Sequence, residues 1–218
     1  MTGLMELDGP RQGAAPGSAK TLVVLLHGLG ADGNDLIALA PIIGQSLPEA
    51  AFVSPHAPFP CDMAPFGRQW FSLQDRTPSA LLGGARMAAP ILSSFLDAEL
   101  ERHGLTDDRL ALVGFSQGTM MALHVALRRN APAAALLGYS GALIGAETLA
   151  GEITSRPPVL LVHGEVDEIV PADALPASAA ALEANAVPVE TESRPGLGHG
   201  IDDAGLARGL AFLARHLG

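Results

Sequence analysis

One cysteine, Cys61, stands in a chain of 218 residues, which excludes an internal disulfide and any cysteine-rich metal site. A lone thiol suits a reducing compartment, so a cytoplasmic protein is expected. Basic residues are scarce as well: 13 Lys and Arg against 23 Asp and Glu leave a formal net charge of −10. No basic stripe is available for a phosphate backbone, and nucleic acid is not an expected partner. The opening residues, Met1-Thr-Gly-Leu-Met-Glu-Leu-Asp-Gly-Pro, have neither a positive n-region nor an apolar h-region, so no export signal is expected. Gly, Pro or charge interrupts the apolar runs short of bilayer length, which predicts no transmembrane segment. No His-Glu-x-x-His pair or comparable ligand spacing occurs, and neither a metal nor another cofactor is expected.

What the chain does have is apolar content. At 48% hydrophobic, with a mean hydropathy of +0.29, it can build one substantial core, and no composition shift divides it. The expected organisation is a loose segment over residues 1–19, rich in Gly, Ala, Pro and Ser, followed by one domain over 20–218. Thr21-Leu-Val-Val-Leu-Leu reads as a strand buried on both faces. Helix is expected over Asp35–Leu47, Ser79–Arg102, Thr119–Arg129, Ala172–Asn185 and from Asp203 to the end, where Leu206, Leu210, Leu213 and Leu217 share a face and Asp202 or Asp203 is the N-cap. Further strands are expected at Ala51–Ser54, Leu110–Val113, Ala134–Leu137, Val159–Val162 and Val187–Glu192. Strands alternating with helices predict an α/β fold with a mostly parallel central sheet and helices on both faces, its sites outside the C-terminal strand ends. Pro58–Pro78 reads as a long loop or broken cap, without a large inserted lid domain.

The most informative pattern is Gly114-Phe115-Ser116-Gln117-Gly118, set between a buried-strand run and a helical run. Such a turn forces a serine into a sharp strand-to-helix corner with its hydroxyl clear of the sheet. It also sets the Gln117 N–H at a helix N-terminus, where negative charge is favoured. Catalysis would further require an acid and then a histidine later in the chain. Of the seven histidines, His199 alone lies in a glycine-rich loop between the last strand and the last helix. His27 and His163 read as hydrogen-bonded structural histidines, while packing or solvent is the expected fate of His124 and His216. The acid should follow the strand Val159–Val162, within His163-Gly-Glu-Val-Asp-Glu-Ile-Val-Pro. Asp167 is chosen there, with Glu165 and Glu168 as rivals. A second oxyanion donor, besides Gln117, is expected from Leu29 in His27-Gly-Leu-Gly, although that loop could be a plain glycine turn.

These segments, with Gly67-Arg-Gln-Trp-Phe and Gly198-His-Gly-Ile, make the chain resemble the carboxylesterase, lysophospholipase and acyl-protein thioesterase group of α/β-hydrolases over nearly its whole length. The resemblance implies a triad of Ser116, Asp167 and His199, oxyanion donors at Leu29 and Gln117, and a tryptophan, Trp70, walling the acyl site. Phe71, Met63 and Phe66 would add an apolar lining, with core burial the alternative for Phe71. Two positions depart from the group: Thr119 stands where a further glycine is frequent, and Glu165 where an aspartate is. Together these readings predict a serine hydrolase that cleaves small-molecule carboxylic esters of short to medium acyl chain, and thioesters or lysophospholipids beside them, through an acyl-enzyme. The rivals are a related hydrolase of another acyl bond and a binding protein that has kept the fold without the chemistry.

Overall fold

A computed structural model of the protein describes residues 5–218. Along the chain lie β1 (Arg11–Gly13), β2 (Thr21–Leu26), the short helix α1 (Gly33–Leu36), a 3₁₀ turn (Ile37–Leu39), α2 (Ala40–Ile43), β3 (Ala50–Val53), and the ribbon strands β4 (Phe59–Pro60) and β5 (Arg68–Gln69). Then come α3 (Pro78–His103), a 3₁₀ turn (Asp107–Arg109), β6 (Leu110–Phe115), α4 (Gln117–Ala126), β7 (Ala135–Tyr139) and α5 (Ala146–Glu152). The chain ends with β8 (Val159–Gly164), α6 (Ala174–Ala184), β9 (Val189–Arg194) and α7 (Asp203–Leu217).

The main sheet has seven strands in the order β1-β3-β2-β6-β7-β8-β9. Every pairing is parallel except that of β1, which runs antiparallel to β3 with Arg11 opposite Val53. Period-two alternation makes both sheet faces apolar. From β2, Leu22, Val24 and Leu26 enter the core layer shared with α3 and α4, while Val23 and Leu25 enter the layer beneath α2 and α7. Asp202 caps α7 by accepting the Gly205 N–H at 2.8 Å, and Leu210, Leu213 and Leu217 pack with Phe212 on the second layer.

Four expectations need correction. Residues 1–4 of the supposed loose head lie outside the described residues, but Arg11–Gly13 is a sheet strand, and Arg11 also bonds the buried Glu99 at 2.6 Å. Its three residues are all exposed, so no apolar alternation marks it. The helix over 35–47 is instead two short helices joined by a 3₁₀ turn, with Pro41, which lacks a backbone N–H, in the first turn of the second. A helix, α5, occupies 146–152, where none was expected. Finally, α3 is long and apolar enough to cross a membrane by length and composition, contrary to the expectation from interrupted runs. In the fold it packs on α4 and β2, burying Leu92 and Leu96 in the core.

Candidate active site

Ser116 is the corner between β6 and α4, with φ 54° and ψ −118°. Positive φ costs a side-chain-bearing residue conformational energy and persists only where neighbours enforce it. Here the Ser116 N–H donates to Tyr139 O at 2.9 Å, and its carbonyl accepts the N–H groups of Thr119 and Met120. Two residues on, the backbone of Gly118 passes so close to β2 that a Cβ would sit 1.8 Å from Leu26 O. Thr119, the departure from the family pattern, is fully buried and donates its hydroxyl to Tyr139 O at 2.9 Å. Its methyl fills space left by Gly138 and Gly141.

Asp167 is buried on the turn after β8. One carboxylate oxygen accepts the N–H groups of Ile169 and Val170, each at 2.9 Å, and the other accepts His199 Nδ1–H at 2.8 Å. Burial pushes this carboxyl pKa up, but the bonds from His199 and the two backbone N–H groups prevail and hold it below the usual carboxylate value. The rivals are disfavoured by position: Glu165 is exposed and accepts the Ser193 hydroxyl, and Glu168 is exposed. The bond to Asp167 fixes Nδ1 as the protonated nitrogen of His199, and the ring stacks at a tilt against Phe115 with centroids 5.0 Å apart. His199 and Ser116 line the same cleft, without a hydrogen bond between them among the described residues.

The remaining histidines have other duties. His27 is buried between Gly28 O, to which Nδ1 donates at 2.7 Å, and the Ala57 N–H, which Nε2 accepts; burial pushes its pKa down. His163 donates from Nε2 to Val170 O at 2.9 Å, which supports the turn carrying Asp167. His124 is buried within α4 and His216 lies near the end of α7, partly shielded against Phe212.

Leu29 and Gln117 both border the cleft. Gln117 is the first residue of α4, so its N–H has no acceptor within the helix. The loop carrying Leu29 is held by its neighbours. Gly30 N–H donates to Arg68 O, Arg68 N–H donates to Ala31 O, and Trp70 Nε1–H donates to His27 O at 3.0 Å. Gly67, at φ +81°, approaches so closely that a Cβ would lie 2.0 Å from Gly30 O. The Gln117 side chain completes the brace, accepting the Trp70 N–H at 2.9 Å and donating to Phe71 O at 2.7 Å. The segment expected to be a long loop is irregular for most of its length, and a two-pair ribbon, Phe59–Pro60 of β4 against Arg68–Gln69 of β5, ties it down beside both candidate donors.

The expected apolar lining is corrected on the same grounds. Trp70 and Phe71 are fully buried behind the cleft, because their backbone and indole groups serve the brace and the Phe71 ring packs against Gly84. Met63 and Phe66 are 50% and 75% exposed on the ribbon's turn and do not line the cleft. The lining instead comes from Phe115 and Met120 beside Ser116, from Leu73 and Leu81 around the start of α3, and from Ile169, Val170 and Pro171 after Asp167, enclosing about 460 Å³. Signals for part of this set existed. Phe115 and Met120 flank the serine in sequence, and Ile169 to Pro171 finish the motif that supplied the acid.

A protein-family comparison matches residues 14–217 to the phospholipase/carboxylesterase family. Acyl-protein thioesterase 1 of Gibberella zeae is 27% identical over 212 residues, spanning 89% of this chain and 90% of its own. The crystal structure of esterase PE8 superposes with a TM-score of 0.93 at 42% identity, covering 98% of this chain and all of that one. Zea mays acyl-protein thioesterase 2 superposes with a TM-score of 0.77 at 26% identity, covering 96% of this chain. The motifs, the α/β-hydrolase architecture and the near full-length match agree: this chain belongs to the phospholipase/carboxylesterase family of hydrolases.

Proposed function

We propose that the protein is a serine carboxylesterase acting on short to medium acyl esters, with thioesters and lysophospholipids as further substrates of the same chemistry. The observation that carries this reading is the 2.8 Å bond between buried Asp167 and half-buried His199, opening on the cleft that also holds the strained Ser116. Asp167 keeps the proton of His199 on Nδ1, which leaves Nε2 free to act as a base. As substrate enters, His199 Nε2 takes the Ser116 proton and Oγ attacks the acyl carbon. The carbonyl π electrons move to oxygen, and the resulting oxyanion is met by the N–H groups of Leu29 and Gln117, each worth roughly 3 kcal/mol of barrier. Collapse expels the alcohol or thiol, which takes its proton from His199. Water, deprotonated by the same histidine, then releases the acid. Closer approach of Ser116 and His199 on binding is consistent with catalytic hydrogen bonds that tighten only in the substrate complex.

A cleft of about 460 Å³ falls in the range of small-molecule sites, and its apolar walls suit an alkyl chain. We also propose a cytoplasmic location, consistent with the single cysteine, whose thiol is free and buried. The test is hydrolysis of p-nitrophenyl esters from acetate to palmitate, with S-acyl thioesters alongside, by wild type, Ser116→Ala and His199→Ala. Turnover lost in both variants with the fold intact by circular dichroism supports the mechanism. Full activity in Ser116→Ala rejects Ser116 as the nucleophile, and a wild type that neither hydrolyses any substrate nor reacts with a fluorophosphonate rejects catalysis in favour of a binding protein.

A further inference from the structure

Among the cleft-lining residues, Arg76 alone carries a permanent charge. Its side chain is exposed, and its only hydrogen bond among the described residues is a long one, from Nε to Leu73 O at 3.4 Å. Most arginines of this chain are committed elsewhere. Arg128 and Arg129 pair with Glu152 and Asp97, Arg194 pairs with Asp202, and Arg68 donates to the carbonyls of Ala57 and Pro58. Arg76 has no carboxylate partner among the described ion pairs. Its neighbour Asp75 turns one oxygen to the Thr77 N–H at 2.8 Å. The outer guanidinium nitrogens of Arg76 thus remain available beside apolar walls formed by Leu73, Leu81, Ile169 and Pro171. In a protein of net charge −10, which repels anions at long range, a cation placed in the substrate cleft offers local attraction that the rest of the surface withholds. Arg76 immediately precedes Thr77, the N-cap of the 26-residue helix α3, whose dipole adds potential of the same sign.

We propose that Arg76 is a specificity-determining residue that selects substrates carrying a second, anionic group, a carboxylate or phosphate, beyond the scissile ester. The guanidinium presents paired N–H donors matched to the two oxygens of such a group. Half-esters of dicarboxylic acids and esters of acidic alcohols are the two substrate types that fit. This rests on the serine esterase reading, because the anion is placed relative to Ser116.

Two matched substrate pairs test it. On the acyl side, the p-nitrophenyl half-ester of adipic acid is compared with its methyl-capped form; on the alcohol side, 4-butyryloxybenzoate is compared with its methyl ester. Each is assayed on wild type, Arg76→Gln and Arg76→Glu, with spontaneous hydrolysis subtracted and folding checked by thermal melting. Wild type is expected to favour the anionic member of one pair by about tenfold in kcat/KM, mostly through KM, a value that allows for the exposure of the site. The ratio should fall to near unity in Arg76→Gln and below unity in Arg76→Glu, and the responding pair identifies the side that carries the anion. No preference in either pair, or a preference that survives both substitutions, overturns the proposal. If the neutral members are hydrolysed in a Ser116-dependent way while the ratios stay flat, only the anion selectivity fails. If they are not hydrolysed, or are hydrolysed equally by Ser116→Ala, the esterase reading fails and this inference falls with it.

Discussion

Replacing Ser116 with glycine is expected to abolish hydrolysis and at the same time stabilise the protein. Ser116, the proposed nucleophile, sits at φ 54° and ψ −118°, a conformation that glycine adopts freely and that costs a residue with a Cβ about 1–3 kcal/mol. Glycine forfeits part of that gain, because its unfolded chain has more conformational freedom, by about 0.4–1 kcal/mol. The net gain is about 1 kcal/mol, which in a protein of this size raises Tm by roughly 2–4 °C. Ser116→Ala is the control: it removes the hydroxyl and keeps the Cβ, and so keeps the strain. Scanning calorimetry of wild type, Ser116→Ala and Ser116→Gly, paired with p-nitrophenyl butyrate turnover, separates the contributions. Both variants should be inactive and only the glycine variant should melt higher. A glycine variant that melts at or below the alanine variant would refute the claim that strain is stored at the nucleophile.

Asp167→Asn should lower kcat by roughly four orders of magnitude with the fold retained. An amide that keeps its oxygen on the Ile169 and Val170 N–H groups turns its NH₂ toward His199 Nδ1 and imposes the wrong tautomer; a loss below tenfold in a steady-state assay would count against Asp167 as the orienting acid. Trp70→Phe leaves the His27 carbonyl without its indole donor and loosens the loop bearing Leu29, so kcat should fall about 10-fold to 100-fold, since even a displacement of about 1 Å near a reacting centre is costly. An unchanged kcat would separate the brace from catalysis. His124, buried and beside Arg128, has its pKa pushed down to about 4, with burial as the main cause. The unfolded chain then binds the proton more readily between pH 6.5 and 4, so this contribution to stability is complete above pH 6.5. It declines as pH falls toward 4, by about 3 kcal/mol in total. Urea unfolding at pH 7 and pH 4.5 should show a shallower decline for His124→Leu than for wild type; parallel declines would exclude His124 as the source.

The sequence by itself determined the features that local chemistry dictates. The glycine-flanked turn at Ser116 and the buried strands are each written within a few consecutive residues, and continuous apolar runs such as Thr21–Leu26 allow little besides a doubly covered strand. Only the tertiary structure decided what depends on segments far apart in the chain. The cleft wall combines Leu73 and Leu81 with Ile169 and Pro171, about ninety residues away in sequence, and no local pattern records that meeting. Trp70 reads as a wall in sequence and becomes a brace in space, because its N–H groups find His27 O and Gln117. Strand β1 has no apolar alternation and exists through pairing with Ala51–Val53. Met63 and Phe66 show the converse: apolar character implies contact with something, but which side of a turn faces the cleft is fixed by the register of β4 on β5, a long-range choice that composition does not carry.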